Sequence, residues 1–86
     1  MPNKAPAVFG RVQAVDDAGR HPMATALVSV NGQAYYTNAL GEYLIPLTPG
    51  KYQLQVEHSG VRPSRTTVKL ESGDSVQVNF YLRYID

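Results

Sequence analysis

This chain has no cysteine and no tryptophan. The absence of cysteine rules out a structural disulfide and a thiolate metal site. It lacks an excess of either charge: eight Lys and Arg stand against seven Asp and Glu, a formal net charge of +1. A balance this even predicts no nucleic-acid binding and no attraction to a membrane surface. Long apolar runs are missing too, so no segment inserts into a bilayer as a spanning helix. Met1-Pro2-Asn3-Lys4 has no apolar stretch behind it, and no signal peptide is read there. A complete chain of this kind would be cytoplasmic. An excised one would come from a secreted, periplasmic or cell-surface protein. Glycine-rich phosphate loops are likewise absent.

What the chain does have is a period of two. Its 86 residues make one domain, small enough that roughly 60–65% of the unfolded surface is buried on folding. Seven strand-like runs are separated by turn residues. The first, Val8 to Val15, places Val8, Gly10 and Val12 on one face. Thr25 to Asn31 aligns Ala26, Val28 and Val30, and Asn31-Gly32 then predicts a tight hairpin into Gln33 to Asn38. Glu42 to Leu47 turns Tyr43, Ile45 and Leu47 inward. Thr48-Pro49-Gly50 turns the chain without a chemical role. Lys51 to His58 alternates Tyr52, Leu54 and Val56 against Lys51, Gln53, Gln55 and Glu57. Ser64 to Leu70 brings in Val68 and Leu70, and Ser75 to Tyr84 brings in Val76, Val78, Phe80 and Leu82. No stretch keeps a helical period. The expectation is an all-β sandwich over residues 7–86, with residues 1–6 frayed.

The order of these pieces resembles the carboxypeptidase regulatory-like domains. The residues that carry the resemblance are Val8-x-Gly10-x-Val12, Ala26-x-Val28-x-Val30, Thr37-Asn38-x-x-Gly41-x-Tyr43 and Pro49-Gly50-Lys51-Tyr52-x-Leu54-x-Val56. Gly60-Val61-Arg62-Pro63 and the closing Val76-x-Val78-x-Phe80-x-Leu82 add to it. The resemblance implies a seven-stranded Greek-key sandwich of the prealbumin or transthyretin-like type, in a group of mostly non-catalytic spacers, folding aids and binding modules.

Chemistry-bearing residues are sparse. His21, read in a loop, and His58, read at the core's edge, are too few donors for a zinc site. The transthyretin-like hydrolases of 5-hydroxyisourate end in Tyr-Arg-Gly-Ser. This chain ends Tyr81-Leu82-Arg83-Tyr84-Ile85-Asp86, so the hydrolase motif is missing, and a small-substrate hydrolase using His21 and His58 stands last among the alternatives. Ser29, Ser59, Ser64, Ser72 and Ser75 have no nucleophile-elbow context. Asp16 and Asp74 suit Asx-type turns. An internal Lys-Asn amide would draw on Lys4 or Lys51, Glu57 and Asn79, yet alternation puts Glu57 and Asn79 on the polar face. The expectation is therefore no enzyme, no cofactor and no metal.

The surface is left for binding. Tyr35 and Tyr36 are adjacent, so alternation turns one of them outward. Tyr81 and Leu44 are out of phase with their inward neighbours. Arg62 and Arg65, with Lys69, form a basic patch. These residues suit a protein partner or neighbouring domain, with a glycan stacked on the tyrosines as the alternative. An edge strand offers a further route, to a homodimer.

Overall fold

A computed structural model of the chain describes residues 6–84. The fray expected over residues 1–6 falls outside these, apart from Pro6, whose carbonyl accepts the Leu47 N–H at 3.0 Å. The described residues contain no helix. Two sheets face each other across one apolar core, as the alternation requires.

Nine strands build them: β1 (Ala7–Asp16), β2 (Gly19–Pro22), β3 (Leu27–Val30), β4 (Gln33–Tyr36), β5 (Glu42–Pro46), β6 (Gly50–Glu57), β7 (Ser64–Leu70), β8 (Ser75–Gln77) and β9 (Phe80–Arg83). In the first sheet β1 is the axis. It pairs antiparallel with β5 along its first half and with β2 along its second. On its other side it pairs parallel with β8, then β9. The second sheet runs β4-β3-β6-β7, antiparallel throughout. The chain leaves β4 for β5 in the first sheet, then returns in β6 beside β3, a Greek-key path.

Two differences separate nine strands from seven. Strand β2 (Gly-Arg-His-Pro) is exposed at every residue, so it carries no burial period, and His21 sits in a strand instead of a loop. The last run is interrupted at Val78 and Asn79, yet its register is unbroken. Phe9 pairs with Gln77 before the gap and Val12 with Phe80 after it, the same offset.

The core follows the inward positions. Val8, Val12, Ala14, Ala26, Val28, Ile45, Leu54 and Val56 are fully buried. Leu47, Tyr52, Val76 and Val78 are only partly covered, and Val76 and Val78 belong to the outermost run of the first sheet, which pairs with β1 alone. Met23 and Val61 join the core from irregular segments, and Val61 is bridged to Tyr84. Asn31 and Gly32 both have positive φ, 51° and 77°, as the two-residue hairpin demands. At the Pro49-Gly50 turn the Tyr52 hydroxyl donates to the Thr48 carbonyl at 2.7 Å, so the turn is held by its own following strand.

The Thr37-Asn38-x-x-Gly41 segment closes the layer crossing. Thr37 is the one buried polar residue among the described residues. Its hydroxyl donates to the Met23 carbonyl at 2.6 Å and accepts from the Ala26 N–H at 2.9 Å. The Asn38 Oδ1 accepts the N–H groups of Leu40 and Glu42 at 3.0 and 2.9 Å. Gly41 has φ 77°, and a β-carbon there would lie 2.4 Å from the Val12 carbonyl oxygen. Only glycine fits. No buried side-chain nitrogen or oxygen among the described residues is left without a partner.

Candidate functional site

The interruption at Val78 and Asn79 shapes the surface. In a regular parallel ladder of this register, the Arg11 N–H donates to the Val78 carbonyl. Here it donates to Asn79 Oδ1 at 3.0 Å. The Val78 carbonyl turns inward and accepts a short hydrogen bond from the Tyr43 hydroxyl, while the Val78 N–H keeps its ladder bond to the Phe9 carbonyl at 2.8 Å. Gly10 makes this possible. A β-carbon on Gly10 would lie 2.0 Å from the Val78 oxygen, inside any contact distance. Tyr43 pairs with Gly10 across β1 and β5, and its ring packs on Phe80 with centroids 6.1 Å apart. Burial pushes the Tyr43 hydroxyl well above the ordinary tyrosine range. It is a neutral donor.

Above this inward turn the outer face of the first sheet carries an open depression of about 480 Å³, with Gly10 and Tyr43 among its lining residues. Phe9, Arg11, Gln13, Gln77, Asn79 and Tyr81 surround it. Arg11 and Glu42, paired across β1 and β5, form an exposed ion pair at 3.5 Å, which contributes little to stability. At one end Phe9 lies opposite Leu44. At the other, Tyr81 lies opposite Gln13, and the Arg20 guanidinium sits 4.8 Å from its ring centroid. Leu44 is 65% exposed, Tyr81 49% and Phe9 36%. An apolar pair and an aromatic ring thus flank a polar dip.

The residues singled out in the sequence fall in different places. Leu44 and Tyr81 share this outer face. Tyr36 is also outward and exposed, but on β4 of the second sheet, so it faces the opposite way. Tyr35 packs inward against the core, and its hydroxyl donates to Gln33 Oε1 at 2.9 Å. The tyrosines of β4 and Tyr81 therefore do not form one stacking platform. Arg62 lies in the β6–β7 loop beside Arg83, whose carbonyl accepts its N–H at 3.1 Å. Arg65 lies on β7, paired with Gln55 of β6.

The chemical candidates stay apart. His21 Nε2 meets Asp16 Oδ1 at 3.1 Å on the surface. That hydrogen bond holds the Asp16 carboxyl below its usual value. Asp16 Oδ1 also accepts the Ala18 N–H at 2.8 Å, the expected Asx turn. Asp74 closes its turn through its backbone N–H, bonded to the Glu71 carbonyl at 3.1 Å. The other histidine, His58, contacts the Ser59 carbonyl through Nδ1. Lys51 and Glu57 are exposed on β6 of the second sheet and Asn79 on the first, so these three do not make an internal amide. Lys4 lies outside the described residues. No group of three His, Asp or Glu among the described residues is placed to hold a metal ion.

Phe9, Arg11, Gln13 and Glu42 were not singled out by sequence reasoning, and Asn79 was singled out only as a partner for an internal amide. The signal was present for Phe9, which sits between inward Val8 and Gly10 and must point out. Nothing in the pattern marks Asn79 as a substitute for a backbone carbonyl.

Among solved structures, GBS52, the minor pilin of the Gram-positive pathogen Streptococcus agalactiae, is similar with a TM-score of 0.76 and 20% identity. The match covers 93% of this chain and 44% of the pilin, so the chain spans less than half the pilin's length. The C-terminal domain of the Caf1A usher is similar with a TM-score of 0.54 and 12% identity, covering 93% of this chain and 99% of that one. In that usher domain, conserved hydrophobic clusters on the surface are important for F1 antigen assembly. At these identities the likeness is one of fold. No curated protein sequence matches the chain significantly. The model of the carboxypeptidase regulatory-like domain matches residues 7–83, nearly the whole chain, and includes Gly10, Thr37, Asn38, Gly41 and Tyr43. The chain belongs to the carboxypeptidase regulatory-like domain family.

Proposed function

We propose that the chain is a non-catalytic structural module that docks a larger protein partner through the outer face of its first sheet. The observation that carries this reading is the outward placement of Phe9, Leu44 and Tyr81 on one sheet face. Apolar side chains clustered on one face and rimmed by polar groups mark interaction sites more often than scattered ones do. Here the rim is Arg11, Glu42, Gln13 and Gln77. The usher domain of similar fold offers a parallel, because surface hydrophobic clusters there matter for assembly. Arg62 and Arg65 lie outside this face and serve as solvated charge.

The test is site-specific photo-crosslinking in the native host. A crosslinker at position 44 or 81 is expected to trap one common protein, and the same group at position 36 traps none. A correctly folded protein that yields no adduct from 44 or 81 overturns the reading. A second reading, a saccharide ligand, rests on the depression beside Tyr81 with its Gln13, Gln77 and Asn79 amides. Glycan-array binding abolished by Tyr81→Ala would select it.

A further inference from the structure

We propose that the parallel pairing of β1 with β8 and β9 is a load-bearing clamp, so that the module resists tension applied between its two ends. This goes beyond docking, since a module can hold a partner without carrying force. Ala7 pairs with Ser75, and Val15 pairs with Arg83. The described chain therefore enters at one end of the first sheet and leaves at the other. Eight residue steps of strand separate these pairs, about 26 Å at the usual rise. The molecule is elongated, with extents of 48 × 21 × 17 Å.

Tension between Ala7 and Arg83 pulls β1 toward its start and β9 toward its end. The two strands must slide past each other. Ladder bonds run across the strands, so this sliding loads all of them together, and none fails until several fail. Three registered pairs join β1 to β8 and four join it to β9. The gap between them is closed by Val78 N–H on the Phe9 carbonyl and by Arg11 N–H on Asn79 Oδ1. The clamp thus runs without a break from Ala7 to Val15. The opposite side of β1 is held by β5 and β2. Strands β3, β4, β6 and β7 have no registered pair with β1, β8 or β9 and stand outside the force path.

The experiment is single-molecule force spectroscopy on the full chain between inert handles, pulled in two directions. In the first, force enters through the two chain ends. In the second, it enters through the C-terminal end and a cysteine introduced by Ala18→Cys. Ala18 is exposed in the β1–β2 turn, beside the Asp16–Gly19 pair and at the same end as Arg83. That geometry peels the parallel pair one bond at a time. The Ala18→Cys variant is pulled in both directions, so the folding free energy is shared and only the loaded path changes. The peak force is expected to drop by a factor of about three, because one pair at a time carries the load that several shared. Asn79→Ala lowers the end-to-end peak, whereas Thr67→Ala on β7 leaves it unchanged. Equal peaks in the two directions, or an end-to-end peak indifferent to Asn79→Ala, overturn the proposal. Neither result bears on crosslinking from position 44, so the docking reading stands or falls separately.

Discussion

Replacing Tyr43 by Phe removes one oxygen and leaves the ring in place. The Val78 carbonyl then loses its donor, since among the described residues no backbone N–H outside the regular ladders reaches it. A partly buried carbonyl left unpaired costs about 2 kcal/mol. For a domain of this size that lowers Tm by roughly 12 °C, at about 6 °C per kcal/mol. Asn79→Ala frees the Arg11 N–H instead. That group lies on the exposed face, where water replaces the lost oxygen, so the cost is about 0.7 kcal/mol. The two losses should not add. With both side chains gone, the Val78 carbonyl is free to swing back and accept from the Arg11 N–H, which restores the regular ladder bond. The double variant should therefore lose less than the sum, with a coupling of about 1 kcal/mol. Equilibrium urea unfolding of the four proteins measures this. Strict additivity, or a Tyr43→Phe loss under about 0.5 kcal/mol, would refute the account of the interrupted strand.

Four further outcomes are expected. Gly41→Ala should cost about 2 kcal/mol or more, from left-handed strain and the clash with the Val12 carbonyl, as read by thermal unfolding. Thr37→Val should cost about 2–4 kcal/mol, because the Ala26 N–H and Met23 carbonyl lose their shared partner in the core, and denaturant midpoints report it. The Tyr43 hydroxyl is held neutral by burial, so its contribution is complete below the unfolded tyrosine value near 10 and is lost as pH rises beyond it. In a phenolate absorbance titration one tyrosine should lag the other five, and Tyr43→Phe should remove the lagging step. His21→Ala should raise the Asp16 carboxyl toward its ordinary value, followed by carboxyl NMR. The Asp16 contribution is present above the unfolded carboxylate value and fades as pH falls through the lower folded one.

The layer architecture was legible because each long strand has one wet face and one dry face. That constraint writes a period of two into Val8 to Val15 and Lys51 to His58. It fails for β2, where Gly19 to Pro22 are all exposed and packing imposes no order. It also misses Val61 and Met23, which reach the core from irregular backbone that has no period. The candidate face was half legible. Leu44 and Tyr81 announce themselves by being apolar at outward positions. The depression between them lies over a carbonyl that turns inward, and that turn brings together Gly10 of β1, Tyr43 of β5 and Asn79 of the β8–β9 gap. Residues 33 and 69 positions apart in sequence give no local sign of such a meeting.

The separation of Ala7 from Arg83 has a consequence for how this unit can be combined with others. Many domains have neighbouring ends and can be spliced into a host's surface loop. With entry and exit about 26 Å apart, this one fits no ordinary loop without prising it open. A gene that acquires it gains a bead in line with the chain, and successive copies would lengthen the string instead of branching it.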